Sequence, residues 1–159
     1  ATGCIIGDAS RNQLDFVLLG DSFTAALADG MTLAANAAGL RGAIMAMHAP
    51  DMVFENHTAG ESARGPEARG HIGAIFETWP DIAFETRRLY VKPGLVVQEW
   101  TATATHANRM TRGDLVAEPT GNKVSWDGLD VIPFEDGLVM RKDVYSDSVS
   151  ILRQVGLLD

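Results

Sequence analysis

Four stretches between residues 82 and 147 set the strongest limit on what this chain can become. Ile82 to Val91, Leu95 to His106, Lys123 to Phe134 and Leu138 to Asp147 are rich in Val, Ile, Thr, Trp and Tyr. Such β-branched and aromatic side chains suit a pleated, half-buried surface. The joints between them carry turn chemistry: Pro93-Gly94, Pro119-Thr120-Gly121-Asn122 and Glu135-Asp136-Gly137. Strands joined by turns of this kind predict an antiparallel meander.

Upstream the period is helical. Phe23, Leu27, Met31 and Ala34-Ala35 share one helical face, with Asp21 or Ser22 available as N-cap. A second short helix is expected over Leu40 to Met47, stopped by Ala49-Pro50, because the residue before proline avoids the α region. Met52 to Asn56 reads as a strand and Gly60 to Gly65 as a polar loop. Pro66 then suits the first turn of a helix whose Ile72, Ile75 and Phe76 share a face, broken at Trp79-Pro80-Asp81. Val149, Leu152 and Val155 fit a short closing helix ended by Gly156. Helices followed by a run of strands predict an α+β fold with the helices packed on one face of the sheet. The 159 residues suit one domain.

The charge balance is 13 − 21 = −8, and no Lys/Arg cluster is present, which argues against a nucleic-acid partner. Arg87-Arg88 and Arg141-Lys142 read as solvated strand faces. One cysteine, Cys4, rules out an internal disulfide and a cysteine-based metal site. The longest apolar stretches fall short of a membrane span, and no basic region leads into an apolar one, so a cytoplasmic location is expected. No two histidines show the spacing of a zinc motif, so neither a metal nor another cofactor is expected.

Several local words coincide, in order, with those of a known family. Ala49-Pro50-Asp51-Met52-Val53-Phe54 looks like its helix-to-strand junction, and Arg64-Gly65-Pro66-Glu67-Ala68 like the start of its third helix. Glu99-Trp100-Thr101 through Thr105-His106 resembles its central strand. Gly128-Leu129-Asp130-Val131, Asp136-Gly137, Tyr145-Ser146-Asp147 and Leu152-Arg153-Gln154-Val155-Gly156 resemble its last hairpin and closing helix. From Ser22 to Asp159 the chain is similar to the SnoaL-like polyketide cyclases of the nuclear-transport-factor-2-like superfamily, with residues 1–21 as an N-terminal extension. The resemblance implies a curved sheet wrapped by about three helices into a cone around an apolar pocket. It also implies a homodimer paired through the sheet, and a small hydrophobic substrate. The superfamily spans cyclases, isomerases, dehydratases, epoxide hydrolases and proteins without known chemistry, so the pocket residues must decide the function.

Side chains alternate faces along a strand, which puts Trp126, Asp130, Ile132 and Phe134 on one side. Ile132 and Phe134 mark that side as interior, so Asp130 is expected in the pocket. Burial in an apolar cone favours the neutral form of an acid, so a carboxyl there can work as acid or base near neutral pH. Asp147 is expected to cap the closing helix. Three residues before it, where the resemblance places the cyclases' working aspartate, stands Val144, with Asp143 one step earlier. Asp143 is the second candidate general acid/base if it turns inward, which a one-residue slip allows only through a bulge. His106 is a candidate proton shuttle at the pocket rim. Trp100, Trp126, His57, Tyr145 and Phe54 are candidate substrate contacts, whereas His48 and His71, read as helical, rank below them. The arginine–aspartate pattern of the limonene epoxide hydrolases is absent at Glu99-Trp100-Thr101.

Three functional readings follow. The first is a cofactor-independent enzyme working by carboxylate acid–base catalysis on a polyketide-like or other hydrophobic carbonyl compound or epoxide. It requires at least two polar groups converging in an apolar cavity. The second is a non-catalytic binding or dimerisation module with one such group or none. The third takes Phe16-Val17-Leu18-Leu19-Gly20-Asp21-Ser22-Phe23 for the nucleophile block of a GDS-type esterase, with Ser22 as nucleophile. It lacks a histidine after His106 to serve as base.

Overall fold

The structure, a computed structural model, describes residues 47–158. The expected helices before Met47, the N-terminal extension and Ser22 lie outside the described residues. Strands β1 (His48–Asn56) and β2 (Glu61–Arg64) precede helix α1 (Pro66–Thr78). Then come β3 (Ala83–Lys92), β4 (Leu95–Thr105), β5 (Met110–Arg112), β6 (Leu115–Ala117), β7 (Lys123–Glu135), β8 (Leu138–Ser146) and helix α2 (Ser148–Gln154). Six strands form one curved sheet in the order β2-β1-β8-β7-β4-β3, and β5-β6 is a separate hairpin. The fold is the expected α+β architecture. The sheet is mixed, because β1 runs parallel to β8 while the other neighbours are antiparallel.

Two local expectations change. The chain from His48 onward is strand rather than the tail of a helix, so Pro50 lies inside β1, as does His48, which was read as helical. The β1–β8 register shifts between His48 and Val53, and β2 pairs only from Val53 onward. Proline, which has no N–H for the ladder, therefore sits where the ladder is interrupted. Glu61 to Arg64, read as loop, is an edge strand on β1. The β5–β6 hairpin turns at Gly113, whose φ of 56° suits glycine.

Both helix entries follow their sequence signals. Pro66 occupies the first turn of α1, and the Trp79 N–H closes the other end on Ile75 O at 2.9 Å. Asp147 accepts a hydrogen bond from Ser150 N at 2.9 Å at the start of α2. Gln154 ties that helix to β7 by bonding both backbone groups of Ser125. Asp147→Ala is expected to cost about 0.5–2 kcal/mol, measurable by urea denaturation; a loss within error would assign the cap no weight. Among the described residues no helix is long and apolar enough to cross a membrane.

The main core lies on the concave side, where Met52, Phe54, Ala68, Trp79, Trp100 and Trp126 pack together. A second, smaller cluster forms around Val96 and Ile132 near the β3–β4 and β7–β8 turns. Asp130 stands between them on the inward side of β7, opposite Gln98 of β4 and Val144 of β8.

Candidate active site

The concave side holds a cavity of about 220 Å³. Its aromatic wall is built by Phe54 of β1, Trp79 after α1, Phe84 of β3, Trp100 of β4 and Trp126 of β7. The rings pack on one another: Trp79 lies 5.3 Å from Trp126, and Phe84 meets Trp100 edge-on at 5.2 Å. Such packed rings leave little conformational entropy to lose when a flat ligand enters.

Five ionisable side chains enter this wall: Glu61, His71, Arg112, Asp130 and Lys142. Asp130 is 2% exposed, and Lys142 Nζ lies 2.8 Å from its Oδ2. Its other oxygen, Oδ1, is buried without a hydrogen-bond partner. One oxygen is thus held and the other is left unmatched. His71 Nε2 stands 3.3 Å from a Glu61 oxygen. The hydrogen bond from His71 holds the Glu61 carboxyl below its ordinary range, with the charges of His71 and Arg112 adding to it against the opposing effect of burial. Trp100 Nε1 and Arg112 Nη1 are also buried without a partner.

Of the side chains singled out in the sequence, Asp130, Phe54, Trp100 and Trp126 line the cavity. Asp143, His57 and Tyr145 stand on the opposite face of the sheet. β7 and β8 pair without a shift from Gly128–Ser146 to Val131–Asp143, so no bulge turns Asp143 inward. Val144 takes the cavity position instead. Asp143 accepts from Arg141, which also bonds Glu55, and lies 2.8 Å from His57 Nε2. Tyr145, 44% exposed, stacks on His57 at 4.6 Å. His106 is fully buried, not at a rim. Its Nδ1 is 3.1 Å from Thr120 Oγ1 and its ring packs on Trp79.

The outer cluster is electrostatic structure. Glu55, His57 and Asp143 bring possible ligand atoms within 4.8 Å of one another, but the Arg141 guanidinium already bonds both carboxylates. Arg141 and, after it, His57 hold the Asp143 carboxyl below the ordinary range. A carboxylate so held adds stability that is fully present above its unfolded-state pKa of about 3.9 and lost as pH falls through the lower folded-state value. Acidification below about pH 4 is therefore expected to destabilise the native chain more than Asp143→Asn. Urea denaturation at neutral and acid pH measures the difference, and equal acid sensitivity would assign Asp143 no part in it.

A family model for the SnoaL-like domain matches residues 29–142, most of the chain. The chain belongs to the SnoaL-like family. No curated protein matches the sequence. Among solved structures, a candidate SnoaL-like polyketide cyclase from Jannaschia sp. CCS1 superposes with a TM-score of 0.79 at 16% identity, covering 97% of this chain and 100% of that one. TsrD from Streptomyces laurentii gives 0.71 at 20% identity, covering 95% and 100%. IdmH, a candidate polyketide cyclase from Streptomyces antibioticus, gives 0.65 at 20%, covering 89% and 96%. At these identities the likeness establishes the fold, while the site must be argued from this chain's own residues.

Within the SnoaL-like cone, four cavity groups were not singled out by sequence reasoning. His71, Ala74, Ile75 and Thr78 all line the cavity, at spacings of three, four and seven residues on α1. His71 is therefore on the same stripe as Ile75, a signal the periodicity contained. Lys142 shares strand parity with Val144 and was readable as inward once Val144 was placed. Glu61 and Arg112 belong to a short edge strand and a three-residue hairpin strand, where no long period exists to reveal a face.

Proposed function

We propose that this SnoaL-like protein is a cofactor-independent enzyme that moves protons on a hydrophobic, enolisable carbonyl compound of polyketide-like type, with Asp130 as the general base. The observation that carries this reading is the divided Asp130 carboxylate: Oδ2 on Lys142, Oδ1 buried and unmatched in an aromatic cavity. Oδ1 takes the proton from the carbon next to the carbonyl, and the C–H electron pair becomes the enolate. The Trp100 Nε1–H and the Lys142 ammonium are the groups placed to stabilise the developing oxyanion. Return of the proton from Asp130 to a different carbon gives isomerisation; attack of the enolate carbon on a second carbonyl closes a ring, and the Asp130 proton passes to the alkoxide so formed; either leaves Asp130 as carboxylate. His71, oriented by ionised Glu61, is the second group able to carry a proton. Five ionisable groups in one cavity favour this over a binding module, for which one such group or none was expected.

Deuterium uptake at the α carbon, followed by NMR over a panel of cyclic and aryl ketones in D₂O, tests the reaction class without knowledge of the product. Uptake above the buffer rate that depends on Asp130 supports it. A wild-type protein that binds the ketones yet exchanges none of them returns the chain to the binding module.

A further inference from the structure

One cation of the cavity has no carboxylate in contact with it. Lys142 contacts Asp130 and His71 contacts Glu61, whereas Arg112, whose charge reaches Glu61 only from a distance, forms no ion pair with any described residue and its Nη1 is buried without an acceptor. A guanidinium does not shed its proton, so this charge is present at every working pH. Two further unmatched atoms, Trp100 Nε1 and Asp130 Oδ1, belong to side chains only 5% and 2% exposed. Residues that line the cavity thus carry two donors and one acceptor without partners, one of the donors charged, beside a wall of packed aromatic rings. Its 220 Å³ lies below the ~300–1,000 Å³ of sites that take drug-sized ligands, which limits the occupant to about one or two rings.

We propose that the cavity binds a flat one- or two-ring carboxylic acid, with the carboxylate on Arg112 and a second oxygen function against Trp100 Nε1, which leaves Asp130 Oδ1 to the neighbouring carbon. The planar guanidinium fork matches a carboxylate in shape as well as charge, which a neutral ester cannot offer. The inference deepens the reading of the cavity as a substrate site and rests on it. It adds a selection by charge that acid–base chemistry at Asp130 does not require.

Calorimetric titration of the full chain with 6-hydroxy-2-naphthoate and with its methyl ester tests it. The acid is expected to bind at least about tenfold tighter than the ester, the scale of a hydrogen bond to a charged group. Arg112→Gln is expected to erase that difference and Arg112→Lys to keep part of it, with circular dichroism verifying that both variants fold. Equal binding of acid and ester, a preference that survives Arg112→Gln, or no binding of the acid would each overturn the proposal. Acid preference in a protein that shows no Asp130-dependent deuterium uptake would uphold carboxylate recognition and sink only the catalytic reading.

Discussion

Asp130→Asn is expected to lower α-carbon exchange by roughly 10²–10⁴-fold, the range that a positioned acid or base contributes. The amide keeps the shape of the carboxyl and an acceptor for Lys142 but cannot take the proton. The substitution also leaves the Lys142 ammonium, only partly exposed, without its counter-charge. Removing one partner of a buried pair destabilises by about 3–5 kcal/mol, so lost exchange alone would not separate chemistry from folding. The double variant Asp130→Asn/Lys142→Gln separates them. It removes both charges, is expected to recover much of the stability, and should remain without exchange. Asp143→Asn, on the other face of the sheet, is expected to exchange like the wild type. Exchange that survives in the double variant, or falls equally in Asp143→Asn, would remove Asp130 from the base's role.

That contrast between two aspartates shows what the sequence could and could not yield. Asp130 was legible because its strand is long and regular. Trp126 and Ile132 fix the inward parity on either side of it, and β4 pairs with β7 through eleven residues without a shift. Asp143 was ambiguous because a single bulge would have reversed it, and bulges leave little trace in composition. The register does shift in the same strand pair, but between Val131 and Phe134, beyond the point where it could turn Asp143. The same limit explains His57. A residue just after a strand has no neighbours to fix its face, and here it follows Glu55 outward to pair with Asp143.

The partners that give Asp130 its chemistry were harder to find. Lys142 sits beside Arg141, and the pair reads as a solvated face until the strand's parity divides it: Arg141 outward on Asp143 and Glu55, Lys142 inward on Asp130. His71 was ranked low because it was read as lying on a helix. Its ring lies 4.7 Å from Phe54 in the cavity wall. Glu61 and Arg112 reach the cavity through tertiary contact alone. The site is therefore assembled from one long strand that the sequence describes well and from short elements that it hardly marks.

Gly128→Ala is expected to destabilise the protein by about 1–3 kcal/mol, the cost of overpacking a filled site. The backbone at Gly128 has no left-handed φ, so alanine meets no conformational penalty there. In an ordinary strand the change would even gain about 0.5–1 kcal/mol by restricting the unfolded chain. What forbids it is Trp100, the cross-strand partner, whose indole fills the space a Cβ would need. A Cβ would fall 2.7 Å from the Trp100 Cε2 and would overlap Cζ2 and Cη2 outright. The indole has little room to yield, because Phe84 abuts it edge-on. Cε2 is bonded to Nε1, so any tilt that relieves the overlap also re-aims the donor assigned to the substrate oxyanion. Two readouts should therefore move together: stability in urea and the near-ultraviolet dichroism of the tryptophans. In a Trp100→Ala background the overlap is gone, and Gly128→Ala is expected to cost nothing, giving a coupling within the 0.5–3 kcal/mol seen for contacting residues. Additive effects would show that Gly128 does not seat Trp100, and the fixed orientation of the Nε1–H donor would lose its structural basis.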